Sequence, residues 1–216
     1  MNQAGRRIQW MIWVGLGITV ILLLMSFLLV GLGRIPSSGR LPIYGMVADF
    51  TLTNQFGKPT GLGDLKGKVW IADIIFTRCA GPCPIMTRNM KSLQDQLADT
   101  STRLVTLTTD PEYDTPEVLS RYADRFKADP ARWLFLTGSK KQIALLAVDS
   151  LKFTSLEKKP AERTAPEDLF IHSTIFILVD KQARVRGIFE TTGDGVNTAE
   201  ALRQLTEGAR RLERER

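Results

Sequence analysis

Apolar and polar positions divide this chain into three regimes. Residues 10–32, WMIWVGLGITVILLLMSFLLVGL, carry no charge and no polar stripe. As a helix they extend roughly 34 Å at about 1.5 Å per residue, enough to cross a bilayer. Trp10 and Trp13 stand at the leading edge, where interfacial aromatics collect. A cleaved signal peptide is the rival reading, but its apolar region usually runs only about 7–15 residues before a small-residue site. VGLGRIP is a poor site of that kind. The expectation is an uncleaved anchor over residues 10–33, with residues 1–9 on the cytoplasmic side. Residues 34–44, rich in Pro, Gly and Ser, read as an extended linker. From residue 45 to 216 short apolar runs alternate with amphipathic stretches, which predicts one folded domain.

Within that domain DFTL (49–52) reads as a short strand, followed by turns in NQFGKPTGLGDLKGK. VWIADIIF (69–76) is an apolar run with one Asp, as in a strand buried on both faces. After a loop, residues 84–99 place Ile85, Met86, Met90, Leu93 and Leu97 at helical spacing behind Pro84. RLVTLTTD (103–110) and WLFLT (133–137) are further strands. TPEVLSRYADRF is a helix with Thr115 as N-cap and Pro116 first, and SKKQIALLAV is a helix capped by Ser139. Residues 154–168 form a polar surface loop. HSTIFILVD (172–180) and ARVRGIFE (183–190) are strands joined by a tight turn at Lys181 and Gln182, and residues 197–216 close the chain as a helix with Thr198 near its cap. Strand–helix alternation ending in a hairpin implies an α/β fold with a mainly parallel centre. With the only two cysteines between the first long strand and its helix, the outline is thioredoxin-like, preceded by one transmembrane helix.

Composition narrows the function. The net charge is +6, with 29 basic and 23 acidic residues interspersed, so no basic stripe suggests nucleic acid. There are no repeats or low-complexity tracts, and two cysteines are too few for a disulfide-rich scaffold.

Cys79 and Cys83 lie in FTRCAGPCPIM. Cys83 precedes Pro84 and so sits at a helix start, where backbone N–H groups and the helix dipole favour a thiolate. Gly81 and Pro82 shape the loop so that both sulfurs face one side. Three fates are open. A structural disulfide here closes a tiny loop and removes little unfolded-state entropy. A redox pair has Cys79 attacking a partner and Cys83 resolving the mixed disulfide. A metal site needs further donors. His172 is the sole histidine, at the start of a late apolar strand. A lone His there is more often a hydrogen-bonded core residue, but the thioredoxin-like outline brings the connection entering that strand beside the cysteine loop. Two thiolates and one imidazole suit copper, Cu(I) or Cu(II), better than structural zinc, which wants four closed ligands. Met86 and Met90 are soft donors nearby, yet their spacing favours core packing. Asp110 either tunes the site or closes its own turn. A peroxidase site is a poorer match, since Pro82 and Cys83 do not suit it.

These segments, in order, resemble the SCO/SenC family of membrane-anchored thioredoxin-like copper proteins. DLKGKVWIADIIFTRCAGPCPIM is similar to its strand, Cys-x-x-x-Cys-Pro loop and helix; TLTTDPEYDTPEVLSRYADRF to its Asp-Pro…Asp-Thr-Pro segment; RWLFLTG to its Trp-x-x-Leu-Thr-Gly turn; IHSTIFILVD to its His-Ser/Thr strand. The resemblance implies copper ligands Cys79, Cys83 and His172. It implies delivery of copper to the copper-centre subunit of cytochrome c oxidase, or reduction of that subunit's cysteines. A copper donor protein and a thioredoxin-like reductant are implied as further partners. Ile171 and the Ala80-Gly81-Pro82 interior stand where many relatives carry acids, so this site has less negative charge. The short N-terminal segment is unlike a transit peptide, which points to a bacterial inner membrane with the domain on the periplasmic side.

Overall fold

The structure is a computed structural model and describes residues 3–32, 40–153, 156–157, 170–171 and 174–215. The chain divides into two units, Met1–Arg40 and Leu41–Arg216. The first is helix α1, Gln3–Leu32. Its segment Trp10–Phe27 is long and apolar enough to span a bilayer, and none of it is buried against protein. An apolar stretch of that length suits a bilayer.

In the second unit the described elements are β1 Gly45–Met46, β2 Thr51–Asn54, β3 Pro59–Gly61, α2 Leu62–Leu65, β4 Trp70–Ile75, α3 Cys83–Gln96, β5 Arg103–Thr108, α4 Pro116–Arg125, β6 Trp133–Thr137, α5 Lys140–Ala144, β7 Leu156–Glu157, β8 Phe170–Ile171, β9 Ile175–Val179, β10 Arg184–Glu190 and α6 Thr198–Arg214. One sheet runs β1-β10-β9-β4-β5-β6-β2-β3, and β7 pairs with β8 separately. Only β4, β5 and β6 run parallel; β9 and β10 join antiparallel, as do β1, β2 and β3. The parallel centre is thus narrower than the strand–helix alternation suggests, because both flanks are built from hairpins and short edge strands.

Strand alternation splits the core into two clusters. Ile71 and Ile75 of β4 pack with Met86, Met90 and Leu93 of α3, Leu119 and Tyr122 of α4, and Leu205 and Ala209 of α6. Trp70, Ala72 and Ile74 pack in the other cluster with Leu62 and Leu65 of α2 and with Ile143 and Leu146. Both faces of β4 are covered, which is why its sequence is a continuous apolar run.

The helix caps follow the expected chemistry. Thr115 Oγ1 accepts from Val118 N ahead of Pro116, and Ser139 forms a capping box with Gln142. Helix α5 continues as a π-helical turn, Leu145–Ser150. At the β9–β10 turn, Asp180 Oδ1 accepts from the backbone of Gln182 and Arg184, while Ala183 takes a positive φ of 61°.

Other expectations shift. The strand placed at residues 49–52 lies at Thr51–Asn54. The segment read as turns contains β3 and α2, too short to show a period. The cap of α6 is Asn197, whose Oδ1 accepts from Glu200 N. Within the polar loop, Leu156–Glu157 forms a strand against Phe170–Ile171. The rest of that loop, and most of the linker, lie outside the described residues.

Candidate functional site

The site forms where β4 ends and α3 begins. Past Ile75 the backbone turns, with Cys79 N donating to Phe76 O at 3.2 Å. Helix α3 then starts at Cys83, with Pro82 as N-cap and Pro84 in the first turn, where its missing N–H costs no helix bond. Thr87 Oγ1 donates to Cys83 O at 2.9 Å and lies 2.8 Å from the Tyr122 hydroxyl, so the first turn is fastened to α4. Met86 and Met90 are fully buried in the core, as their spacing suggests.

Cys79 and Cys83 are both thiols, 7% and 1% exposed. They hydrogen-bond each other, and Gly81 N donates to Cys79 Sγ at 3.3 Å. The hydrogen bond to Cys79 pushes the Cys83 thiol far above its ordinary range, with burial and charge on Cys79 adding to it and a Phe76 N–H opposing. This corrects the expectation of a thiolate at Cys83 from its place at the helix start. The bond to Cys79 and burial act against the helix dipole. The two thiols titrate as one hydrogen-bonded pair, and two adjacent sulfurs are a donor set that can exchange protons for a soft cation.

The loop is strapped to the end of β5 at two levels. Inside, the fully buried Asp114 carboxylate accepts from Thr77 N at 3.1 Å and from the hydroxyls of Thr77 and Thr108. Burial raises its carboxyl above the ordinary range, and these hydrogen bonds oppose the rise. Outside, Arg78 pairs with Asp110 at 2.5 Å and lies 4.1 Å over the Tyr113 ring. Asp110 also closes its own turn, its carbonyl accepting from Tyr113 N and Asp114 N at 3.1 and 2.8 Å.

Below the cysteines, Asp73 lies between Ile71 and Ile75 on the strand face that looks into the α3 cluster. It faces Thr106 across the parallel ladder. Trp133 Nε1 donates to Thr106 Oγ1 at 2.9 Å, which donates to Asp73 Oδ1 at 2.6 Å. Asp73 Oδ2 has no hydrogen-bond partner among the described residues. Burial pushes this carboxyl up to about 7, against the Thr106 hydrogen bond. The sequence showed Asp73 only as the one acid in an apolar run, and gave no sign that Thr77, Arg78 and Asp114 act on the loop.

His172 lies outside the described residues. Among the described residues no group of three or more His, Cys, Asp or Glu is placed to hold a metal. The chain resumes at Thr174, whose carbonyl accepts from Thr191 N at 3.0 Å, while Thr191 O accepts from Asn89 of α3 at 3.2 Å. The lead into β9 is thereby tied to the helix that begins at Cys83.

Known proteins resemble this chain in sequence and fold. The profile of the SCO1/SenC family matches residues 43–207. A Bacillus subtilis (strain 168) protein called SCO1 protein homolog is 39% identical over 147 residues, 67% of this chain and 73% of its own. The structure of BsSco, described as having a disulfide switch and as a member of the Sco family of cytochrome c oxidase assembly proteins, superposes with a TM-score of 0.64 at 30% identity, covering 79% of this chain and 98% of that one. Bradyrhizobium japonicum ScoI with copper bound shares the fold, with a TM-score of 0.63 at 22% identity over 78% of this chain and 99% of its own. The fold is the thioredoxin-like α/β fold of these neighbours.

Proposed function

Because the chain belongs to the SCO1/SenC family, we propose that it is a membrane-anchored copper metallochaperone that receives one copper ion on Cys79, Cys83 and His172. It passes the ion to the copper-centre subunit of cytochrome c oxidase. The observation that carries this reading is the pair of reduced, mutually hydrogen-bonded thiols at the start of α3. Two adjacent soft sulfurs suit copper, and an imidazole completes the set in either oxidation state. Loading displaces the thiol protons of Cys79 and Cys83, so affinity rises with pH until both are deprotonated. Release is ligand exchange: a thiolate of the acceptor replaces one sulfur while the ion stays coordinated.

Arg6 and Arg7 precede the uncharged stretch of α1 that starts at Trp10, which favours an N-terminus in the cytoplasm and the domain on the periplasmic side of a bacterial inner membrane. In that oxidising compartment the thiols need a reductant to remain ready for metal. Thiol–disulfide exchange is the second reading, favoured by the contact between the sulfurs and by the disulfide switch described for BsSco. Cys79, the more exposed, attacks a partner disulfide. Cys83 then displaces the partner thiolate, leaving a Cys79–Cys83 disulfide and a partner reduced by two electrons.

Anaerobic Cu(I) titration of the full-length protein in detergent, with a competing chelator, tests the primary reading. The intact protein binds one ion, Cys79→Ser or Cys83→Ser abolishes tight binding, and His172→Ala weakens it or changes the Cu(II) absorption. Equal affinity in all four proteins would overturn the assignment. Failure to bind copper together with rapid reduction of a partner disulfide would favour the second reading.

A further inference from the structure

We propose that Asp114 is the positioning residue of the cysteine loop: by gripping Thr77 it fixes where Cys79 is presented to Cys83 and to an incoming ion. The role in metal loading rests on the copper reading; the role in holding the loop does not. Asp114 is fully buried where β4, β5 and α4 meet. Its Oδ1 takes the Thr77 hydroxyl, and its Oδ2 takes the Thr77 backbone N–H and the Thr108 hydroxyl. Thr77 stands two residues before Cys79, so two of these three bonds act on the chain that carries the first sulfur. The third reaches only the end of β5. Asp114 is held in turn, its own N–H donating to Asp110 O at 2.8 Å. Arg78 and Asp110 make a second strap outside, but the Arg78 side chain is 41% exposed and that pair is weakened by solvent. The buried carboxylate is the firmer of the two holds.

The division of its bonds makes the inference testable. Asn is isosteric: its carbonyl accepts from Thr77 N and Thr108 while its amide donates to Thr77 Oγ1, so Asp114→Asn retains the grip. Asp114→Ala loses it. Thr77→Val removes one bond on the cysteine side, and Thr108→Val removes one bond to the same carboxylate on the far side together with the one Thr108 Oγ1 accepts from Asp110 N at 3.0 Å. The readout is the alkylation rate of each thiol in the full-length, folded, metal-free protein in detergent, with unfolding midpoints measured beside it. Asp114→Ala should raise the Cys79 rate about tenfold, the scale of losing hydrogen bonds to a carboxylate, and Thr77→Val should raise it less. Asp114→Asn and Thr108→Val should leave it within about twofold, although Thr108→Val lowers the midpoint. Copper affinity should follow the same order. If Thr77→Val and Thr108→Val change Cys79 alkylation equally, or if neither changes it while both lower stability, Asp114 is a structural tie only. That comparison stands even if Asp114→Ala does not fold. The alkylation result decides the inference whether or not the protein binds copper, so its failure is distinct from failure of the copper reading.

Discussion

Opposed influences meet at Cys83. Its place at the start of α3 offers helix-dipole stabilisation of a thiolate, while its burial and its bond to Cys79 hold the proton on. The sequence reveals the first influence, because Pro84 marks the helix start. It hides the second, because burial depends on residues of α4 and α6 that join the cysteines in one core cluster. Asp73 is a parallel case. An acid in an apolar run is visible in the sequence, but its partner Thr106 follows from the β4–β5 register. Its folded-state value of about 7 lies above the ordinary 3.8, so the protonated form is favoured by folding. The stability it contributes is complete below about pH 4 and is lost as pH rises through about 7. Urea unfolding followed by near-ultraviolet dichroism should therefore show the native protein losing roughly 3 kcal/mol between about pH 5 and 8 relative to Asp73→Asn, which mimics the protonated acid. Parallel profiles for the two proteins would mean that Asp73 is already satisfied as a carboxylate.

At the scale of elements, long periodic segments were the readable ones. Helix α4 announces itself by Thr115 and Pro116 and then buries Leu119, Tyr122 and Ala123. It reaches the site through Tyr122, whose hydroxyl meets Thr87 below Cys83. Thr115→Ala should lower stability by about 1 kcal/mol through loss of the cap, with copper affinity unchanged. A loss of affinity beyond the stability effect would mean that the start of α4 helps shape the metal loop. The elements that escaped notice are two to four residues long: β1, β3 and α2. β1 holds its shape by pairing with the distant β10, and β3 by pairing with β2, which in turn pairs with the distant β6, and a local pattern carries no record of that. The straps on the loop escaped for the same reason, since Thr77 and Asp114 are 37 positions apart.

At the scale of the molecule, two devices connect the pieces. Arg186, at a bulge in β10 and 2% exposed, bonds Asp180 at 2.7 Å, Glu215 at 3.1 Å and the Leu41 carbonyl at 2.8 Å. One guanidinium thus gathers the start of the domain, the terminal hairpin and the end of α6. Arg186→Met removes the buried partner of Asp180, leaving it Arg184 at 2.7 Å and the turn amides, and should cost about 3 kcal/mol in urea unfolding; a change under about 0.5 kcal/mol would mean that Arg184 and the turn amides satisfy Asp180. The second device is the apolar helix. The full chain should stay with membranes through an alkaline carbonate wash and leave only with detergent, whereas removal of residues 1–40 should release it. Extraction of the full chain by carbonate alone would contradict the anchor.

The central claim is a copper ion held by two sulfurs and one imidazole, and copper X-ray absorption on the loaded full-length protein in detergent addresses it most directly. The account predicts two sulfur scatterers and one histidine nitrogen, with the nitrogen lost in His172→Ala and one sulfur lost in Cys83→Ser. A single sulfur in the native protein, or an unchanged spectrum in His172→Ala, would contradict it.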